Sequence, residues 1–577
     1  MHLFETIVRT VNDFIWGFGI PVGDEVIPGV VIALLGTGVF LTLRLRFIQL
    51  RRLGHGFGVT TGRYDDPNEP GDVPHFQALT TALSATVGIG NIAGVAIAIH
   101  WGGPGALFWM WVTASLGMAV KYSEVTLAQR YRQVETDQGT SHRALLGTVS
   151  GGPMYYIERG LGPRWKWMAL FFAGMLGFTA FLTGNAVQAN TVADTMWTTF
   201  GVSPWITGLF TSGVVALVVL GGIRRIGKVT SILAPAMAGI YVLGALYIIV
   251  TNLGQLIPSF GLILREAFNP TAGIAGTGVG AILTTMMWGV KRGLFSNEAG
   301  QGSAPIAHAA AKTDEPVSEG VVALLEPFID TLVICTMTGL VIIMTGVWND
   351  VHPTPLGITA GDSSWVTVDE HGHHRGAAAP ERFVVELGRP VHTGPGLPRY
   401  AWHEVAVEEF FTDPQQTLPF TGLIVPAEGV AVAHDGARLA TLYGNAVENG
   451  APLTMNGFSR GLPGQWGKYI VVLSVLLFAV STAISWSYYG DRCANYIWGA
   501  RAIFPYKVAF VGMHFFGALV SLNVVWELGD IALGVVILPN LIALVFLSGQ
   551  VRGMTVSYFA RKPWVENAAV HRSLKKR

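Results

Sequence analysis

Eleven apolar segments, each long enough to cross a lipid bilayer, constrain this chain more than any other feature. A helix needs about 20 apolar residues to cross the hydrocarbon. The segments lie at 24–44, 76–100, 103–129, 167–196, 203–222, 229–251, 273–311, 319–347, 467–489, 504–524 and 528–550. With 51% hydrophobic and only 13% charged residues, the composition excludes a soluble multi-domain enzyme. The sequence therefore predicts an all-α polytopic membrane protein with 11 transmembrane helices.

The distribution of basic residues predicts the orientation. Arg and Lys cluster after the first, third, fifth, seventh and ninth segments and in the tail after the eleventh. Positively charged loops remain in the cytoplasm. We therefore expect a multi-pass protein of the cell (inner) membrane, with its N-terminus outside and its C-terminus cytoplasmic. The first twenty residues lack the basic region and small-residue cleavage site of a removable signal peptide.

Membrane-like composition is interrupted once, over 351–464. Short alternating apolar runs separated by Gly, Pro and Asp predict a small β-rich extracytoplasmic insertion there. The tract His371-Gly-His-His is expected to be an exposed loop, because one loop offers no second ligand group at a fixed distance. The expected domains are 1–350 with spans 1–8, the insertion 351–464, 465–550 with spans 9–11, and the basic cytoplasmic tail 551–577.

Two of the apolar segments contain glycines and polar residues that would break a helix. Gly88 and Gly90 flank Ile89 within 83–91, and four glycines interrupt 288–303. Such interruptions are tolerated at membrane depth only where they line a protein cavity. Because one falls in the opening span of each half of the chain, the pair predicts the binding site of a transporter.

Unwinding a helix at the first break would free main-chain groups of both polarities. The carbonyls from Ser84 to Val87 are expected to bind a small cation, with hydroxyl oxygens from Ser481 and Thr482 completing its shell. The amides from Gly88 to Asn91 would hold a carboxylate, as helix N-termini do. A site for both charges suits a zwitterion that is coupled to an ion.

The second break would supply the opposite end of that zwitterion's site. Carbonyls around Phe295 and Ser296 are expected to accept the ammonium group of the substrate. Glu298 is interpreted as a cation ligand, a gate residue or a buried ion-pair partner of Lys291 or Arg292, and the ion pair is preferred. Asn297 belongs to the same interruption.

Other polar residues within the spans have open interpretations. Lys121 and Glu124 are expected to neutralise each other one turn apart, and Glu326 and Asp330 are candidate cation or proton ligands. For Glu326 a structural role is equally acceptable. Gln188 shares a helix face with Asn185, so it is expected either to bond a neighbouring helix or to contact substrate.

Several motifs resemble the alanine/glycine:cation symporter family. They are Val87-Gly-Ile-Gly-Asn-Ile-Ala-Gly, Gly151-Gly-Pro-Met-Tyr-Tyr, Gly184-Asn-Ala-Val-Gln-Ala-Asn, Arg292-Gly-Leu-Phe-Ser-Asn-Glu-Ala-Gly-Gln-Gly-Ser and Trp486-Ser-Tyr-Tyr-Gly. The resemblance covers almost all of the chain outside 350–460. It implies sodium-coupled uptake of alanine or glycine through one leading helix and a five-plus-five inverted repeat, the fold of the sodium:leucine transporter.

The resemblance also implies the binding residues. The sodium site would use main-chain oxygens near Ser84 and Val87 with Ser481 or Thr482. The substrate pocket would be formed by Gly88, Ile89, Gly90, Asn91, Gln188, Met287, Thr482 and Trp486. Ile89 departs from the Val-Gly-Thr-Gly-Asn pattern usual in the family, so one pocket hydroxyl is missing.

The function expected from the sequence is a symporter that imports a small neutral amino acid with sodium by alternating access. The expected partners are that amino acid, sodium and the lipid bilayer, with no nucleic acid and no cofactor other than the coupling ion. The alternative is a transporter-like sensor that signals through the external insertion. A channel would favour charged rings around a continuous pore, and no nucleophile with its base is placed for an enzyme.

Overall fold

Helices make up most of the chain. The computed structural model describes residues 10–12, 14–22, 25–66, 69–134, 149–270, 279–358, 363–368, 374–391, 394–520 and 522–575. The His371-Gly-His-His tract lies largely outside these residues. Over the first half, the helices are α1 Gly29–Arg44, α2 Ile48–Thr60, α3 His75–Thr86, α4 Ala93–Gly102, α5 Ala106–Tyr131, α6 Pro153–Gly160, α7 Lys166–Phe181, α8 Val187–Phe200, α9 Pro204–Val219 and α10 Gly222–Thr251.

The second half continues in the same way. Its helices are α11 Leu253–Phe268, α12 Val279–Asn297, α13 Ala304–His308, α14 Pro316–Ala323, α15 Thr336–Met344, α16 Gly450–Gly461, α17 Trp466–Trp498, α18 Ile503–Gly517, α19 Leu522–Arg561 and α20 Trp564–Lys575. Wide π-helical turns at Leu182–Ala186 and Phe328–Cys335 keep α7 continuous with α8 and α14 continuous with α15. The stretch 252–270, between the sixth and seventh apolar segments, is largely the helix α11, which carries Pro258 in its first turns.

Apolar surfaces confirm a multi-pass membrane protein. Among the described residues, five helices are long and apolar enough to cross a membrane, or up to seven if each bent pair is one span. Large apolar side chains on their outer faces remain exposed, such as Ile232 and Leu243 at 69% each. Water would disfavour such faces, whereas lipid does not. The count of eleven spans, the inverted repeat and the orientation stay predictions.

The first break lies where Gly88 and Gly90 stand. Helix α3 ends at Thr86, a short 3₁₀ turn spans Ile89–Asn91, and α4 then leaves at 60° to α3. The broken span packs mainly against α10, α12 and α17. Its carbonyl end and its new amide end therefore meet in the protein interior.

The second break is shorter than the sequence suggested. Helix α12 runs unbroken through Gly289 and Gly293 and ends at Asn297, and α13 begins at Ala304. Both glycines serve close packing, because a Cβ on Gly289 would lie 2.4 Å from the Ala106 carbonyl oxygen and one on Gly293 would lie 3.3 Å from Met110. The expected interruption over 288–303 is thus corrected to the six residues after Asn297.

Strands concentrate between α15 and α16. They are β5 His352–Gly357, β6 Ser363–Val368, β7 His374–Gly376, β8 Phe383–Glu386, β9 Arg389–Pro390, β10 Pro398–Trp402, β11 Val405–Ala406, β12 Gly422–Val425, β13 Val430–Ala433, β14 Arg438–Leu439 and β15 Thr441–Ala446. Earlier short strands are β1 Gly19–Val22, β2 Glu25–Pro28, β3 Gln133–Val134 and β4 Val149–Ser150.

Two small antiparallel sheets enclose a core of their own in this segment. Their strand orders are β11-β10-β6-β7 and β14-β13-β12-β8-β9, and β5 pairs separately with β15. Tyr400, Phe410 and Phe420 are fully buried between them. The extracytoplasmic position of the segment and the domain boundaries at 350, 464 and 550 stay predictions.

Candidate substrate and cation site

Three oxygen-bearing residues meet at the carbonyl end of α3. The Thr482 hydroxyl donates to the Ser84 carbonyl at 3.2 Å, and the Ser84 hydroxyl donates to the Ser481 carbonyl at 3.1 Å. The Ser481 hydroxyl lies 3.4 Å from the Ser84 carbonyl oxygen. All three residues are buried. This all-oxygen donor set, at the partly negative end of a helix, suits a hard monovalent cation.

Val87 marks the point where α3 ends. Its φ and ψ of −74° and 84° take the chain out of the helix. The residue is 2% exposed and packs among apolar side chains. Its carbonyl therefore remains a proposed ligand whose position follows from the end of the helix.

The amide end of the break lies one residue further along. The Gly88 N–H donates to Asn91 Oδ1 at 2.9 Å, and the Asn91 N–H closes the 3₁₀ turn on the Gly88 carbonyl. The N–H groups of Ile89 and Gly90 precede the first bond of that turn. Such leading amides of a helix are suited to bind a carboxylate.

Asn91 also joins the break to a buried carboxylate. Its carboxamide nitrogen lies 2.6 Å from Asp330 Oδ1 and 3.2 Å from Ser296 Oγ. The hydroxyls of Ser296 and Thr331 donate to Asp330 Oδ2 at 2.7 and 2.6 Å, and Cys335 Sγ lies 3.1 Å from Ser296 Oγ. Asp330 therefore fixes the Asn91 side chain and ties both breaks together.

Gly88, Thr482 and Gln188 line one small space. A Cβ on Gly88 would lie 2.6 Å from Thr482 Oγ1 and 3.4 Å from Gln188 Oε1. The Gln188 side chain donates to the Thr183 carbonyl at 3.1 Å, and its buried Oε1 has no partner among the described residues. A buried acceptor of this kind calls for a donor. An ammonium group at this place would supply one.

Trp486 contacts the second break. Its indole N–H donates to Glu298 Oε1 at 2.9 Å, and the Ser303 hydroxyl donates to Glu298 Oε2 at 2.5 Å. A Cβ on Gly184 would fall 2.2 Å from the indole ring, so the ring packs directly against the backbone of the π-turn. Glu298 adopts a positive φ of 55° at the break.

The preferred ion pair of Glu298 with Lys291 or Arg292 is wrong. Asp530 on α19 pairs with both cations, at 2.6 Å from Lys291 Nζ and 3.0 Å from Arg292 Nη2. Nearly two helical turns separate these cations from Glu298, and α12 directs them towards α19 instead. Asp530 lies within the last apolar segment, so the rule that intramembrane carboxylates mark functional positions would have found it.

Aromatic rings separate this ion pair from the pocket. Phe295 stacks on Trp526 with ring centroids 5.0 Å apart, and the Arg292 guanidinium lies 5.0 Å from the Trp526 ring centre. A Cβ on Gly90 would lie 3.0 Å from the Phe295 ring, so that ring contacts the first break. The rings therefore lie between the break and the Asp530 cluster.

Backbone hydrogen bonds close the side of the site that lies opposite the Phe295 and Trp526 rings. The Asp72 N–H donates to the Ala310 carbonyl at 2.8 Å, and the Lys312 N–H donates to the Val73 carbonyl at 2.8 Å. Arg132 donates from its guanidinium to carbonyls on both segments, including Pro70 at 2.9 Å and Ala311 at 2.6 Å. The segment before α3 and the segment after α13 are thus joined below the site.

The expected pair of Lys121 with Glu124 is also wrong. Lys121 Nζ lies 3.1 Å from Glu326 Oε2, whereas Glu124 Oε1 accepts from the Gly302 N–H at 3.1 Å and from Asn540 at 2.5 Å. The two residues face different neighbours because α5 is buried on several sides. Each therefore finds its partner on another helix.

Three remaining residues lie at the margin of the site. Asn185 bonds the Phe510 carbonyl at 2.7 Å and His514 at 2.6 Å, so it joins helices and does not line the pocket. Asn297 accepts from the Ala299 N–H at 3.0 Å and thereby caps the second break. Met287 is half-buried and lies eight residues before Phe295, about 12 Å along the helix axis, so its place in the pocket stays a prediction.

Comparison with known proteins identifies the family. A sequence model of the sodium:alanine symporter family matches residues 1–364 and 410–572. The chain belongs to the sodium:alanine symporter family. It is therefore a membrane transporter of a family that carries out cation-coupled symport of amino acids. Only 365–409 and the last five residues fall outside the match to the family.

Known transporters align with most of the chain. The sodium/alanine symporter AgcS of Methanococcus maripaludis is 39% identical over 558 residues, covering 96% of this chain and 97% of that protein. The putative sodium/proton-dependent alanine carrier protein YrbD of Bacillus subtilis is 32% identical over 90% of this chain and 87% of that protein. The probable sodium/glutamine symporter GlnT of Bacillus subtilis is 29% identical over 97% and 92%.

Proposed function

We propose that this protein is a sodium-coupled symporter that imports alanine or glycine by alternating access. One observation carries the proposal. The Thr482 hydroxyl donates to the Ser84 carbonyl, and it also lies 2.6 Å from where a Cβ on Gly88 would be. A single side chain therefore touches both the carbonyl end and the amide end of the broken helix, so occupation of one affects the other.

The substrate's two charged groups fit different parts of the site. Its carboxylate would lie against the leading amides of Ile89 and Gly90, where the helix end is partly positive. Its ammonium group would donate to Gln188 Oε1, which is buried and lies 3.4 Å from where a Cβ on Gly88 would be. The carbonyls around Phe295 and Ser296, expected from the sequence to accept this group, are the second candidate. These two anchors select an α-amino acid.

Close packing around the site favours a substrate with a small side chain. Neighbouring side chains pack directly against the backbone at Gly88, Gly90 and Gly184. At each position a Cβ would lie 3.0 Å or less from a neighbouring side-chain atom. Ile89 is fully buried in an apolar cluster with Phe295, so the missing hydroxyl leaves an apolar wall. Such a pocket favours alanine or glycine over longer or polar substrates.

Coupling follows from the shared position of the two ligands. Sodium at Ser84, Val87, Ser481 and Thr482 would hold α3 against α17 and thereby order the amide end for the carboxylate. With both ligands bound, the Phe295 and Trp526 rings would stay closed on the outer side. The inner closure at 70–73 and 309–313 would then separate and open the path to the cytoplasm.

The sodium dependence of uptake by two matched variants tests this proposal. In Thr482→Ala the site loses one neutral oxygen ligand, worth about 1 kcal/mol or slightly more, so the sodium concentration for half-maximal alanine uptake should rise about tenfold. Ser487→Ala removes a buried hydroxyl of the same helix, which bonds only the Ile484 carbonyl in the described structure. It should leave the sodium dependence unchanged. An unaltered sodium dependence in Thr482→Ala would contradict the assignment.

A further inference from the structure

Five titratable side chains form a continuous buried line below the substrate site. Lys121 Nζ lies 3.1 Å from Glu326 Oε2, and Glu326 Oε1 lies 2.7 Å from His308 Nε2. His308 Nδ1 and His75 Nδ1 then contact the two oxygens of Glu319. None of the five is more than 2% exposed. We call them the His308 line.

The hydrogen bonds of His308 require an extra proton. Both of its ring nitrogens face carboxylate oxygens, one from Glu319 and one from Glu326. A neutral imidazole has one N–H donor and one acceptor, and an ionised carboxylate only accepts. A neutral His308 between two ionised carboxylates would therefore set two acceptors against each other. As an imidazolium, it donates to both.

The charge balance agrees with this count. Lys121 and the His308 imidazolium carry two positive charges, and Glu319 and Glu326 carry two negative charges, so the line is neutral when His75 is neutral. Loss of the proton would leave an uncompensated negative charge where water is excluded, which is costly. The proton should therefore be retained while the line is buried, and released when water reaches it.

The position of the line connects it to the inner closure. His75 is the first residue of α3 and His308 the last residue of α13, so Glu319 links the parts of the two broken spans on the side predicted to be cytoplasmic. The His308 carbonyl also accepts from Gln129 at 2.5 Å, and the neighbouring Ala309 carbonyl accepts from Arg132 at 2.8 Å. Separation of 70–73 from 309–313 would pull this line apart.

Further charged groups surround the His308 line. The other titratable or charged groups that act electrostatically on its members are Asp65, Glu69, Glu124, Arg132, Glu298, Asp330 and Tyr489. Asp65 Oδ1 lies 4.0 Å from His75 Nε2. Within the line, His75 shares its contact partner Glu319 with His308, and Lys121 shares its contact partner Glu326 with His308.

We propose that His308, held between Glu319 and Glu326, is a proton-binding site of the transport cycle. The proton binds from cytoplasmic water as the inner path closes and returns to it as the path opens. Because protonation stabilises the closed form, acidifying the cytoplasmic side should slow substrate release. This inference rests on the proposed symport function but concerns a different group of residues.

Glu319→Gln tests whether His308 needs the extra proton. The Gln carbonyl can accept from His75, and its amide nitrogen can donate to the unprotonated Nδ1 of a neutral His308, whose single N–H, on Nε2, donates to Glu326. Every hydrogen bond of the line is then satisfied without the extra proton. His75→Gln is the matched control, because it changes the end of the line and leaves His308 between its two carboxylates.

The test measures initial sodium-driven alanine uptake by right-side-out membrane vesicles at different internal pH, with external pH and membrane potential fixed. For the parent chain and His75→Gln, uptake should fall as internal pH is lowered, approaching tenfold per pH unit for one proton. For Glu319→Gln, uptake should be independent of internal pH. A Glu319→Gln profile that matches the parent's would overturn the assignment.

Three further outcomes are possible, and each has a defined consequence. Uptake by the parent chain that does not respond to internal pH would overturn it without any variant. If Glu319→Gln transports nothing, His308→Gln serves as the second variant and should also lose the pH response. Sodium-dependent alanine binding by each purified variant shows whether the substrate site has survived. Failure of the parent chain to take up alanine at any pH would instead count against the proposed function.

Discussion

At the scale of single residues, the account depends on the closeness of Gly88 to Thr482. A side chain on Gly88 would meet Thr482 Oγ1 at 2.6 Å and fill the space beside Gln188. We expect Gly88→Ala to reduce alanine uptake more than tenfold, because the added methyl displaces both a cation ligand and the substrate. The measurement is initial uptake by reconstituted protein, normalised to the amount of folded protein.

Gly94 provides the matched control for this substitution. It lies on α4, six residues after Gly88, and a Cβ there would meet no atom within 4 Å. Gly94→Ala should therefore transport at nearly the parental rate. Equal transport by the two variants would show that the space around Gly88 is not part of the pocket.

Single residues also show which parts of the candidate site could be predicted from the sequence. The pattern at 83–91 brought Ser84, Thr482 and Asn91 into the candidate site, because glycines inside an apolar segment and hydroxyls at helical spacing are local signals. The partners of Lys291 and Glu298 could not be found in this way. Asp530 lies more than 200 positions from Arg292 in sequence, and only packing decides which carboxylate faces which cation.

At the scale of elements, the inner closure depends on one guanidinium. Arg132 donates to four carbonyls, those of Pro70, Ala309, Ala311 and Thr313. In Arg132→Ala the two segments lose this link, so we expect the inner path to open more often. Cys335 is buried 3.3 Å from Asn91 and reports on that opening.

The measurement is the rate at which a water-soluble thiol reagent modifies Cys335 from the cytoplasmic side, in protein whose other cysteine is removed by Cys493→Ser. Arg132→Ala should raise this rate several-fold. Arg130→Ala, which alters an exposed residue two positions earlier in the last turn of α5, should leave it near that of the Cys493→Ser parent. If Arg132→Ala and Arg130→Ala were modified equally slowly, Arg132 would not be holding the inner side closed.

The elements themselves were predictable to different degrees. The bend after Thr86 could be placed from sequence because Gly88 and Gly90 lie within an otherwise apolar run. The end of α12 could not, because Gly289 and Gly293 look like helix breakers in sequence. In the fold they only allow α5 to approach closely. Glycines that break a helix and glycines that pack it are distinguished by neighbours, not by spacing.

At the scale of the whole molecule, the strand-rich segment should be separable from transport. Strands β5 and β15 pair antiparallel with Gly357 opposite Thr441, so the chain enters and leaves the segment at one place. Replacing 358–440 with a short Gly-Ser linker would close this pair as a hairpin. We expect alanine uptake to stay within about threefold of the parent, since the site is built from the helices.

The excision would remove one contact between the strand-rich segment and the helices. His100 at the end of α4 lies 3.1 Å from the His403 carbonyl, so the excision leaves one buried imidazole without that partner. A stable excised protein that binds alanine with sodium but no longer transports it would contradict this expectation. In that case the segment would be part of the working mechanism.

The central claim, coupled symport of alanine or glycine, is tested most directly by accumulation. Purified protein in liposomes should take up labelled alanine or glycine above its equilibrium level when an inward sodium gradient is imposed. The accumulated label should leave again when the gradient is abolished. Sodium-dependent binding without accumulation, or uptake that only reaches equilibrium in the presence of the gradient, would contradict the account.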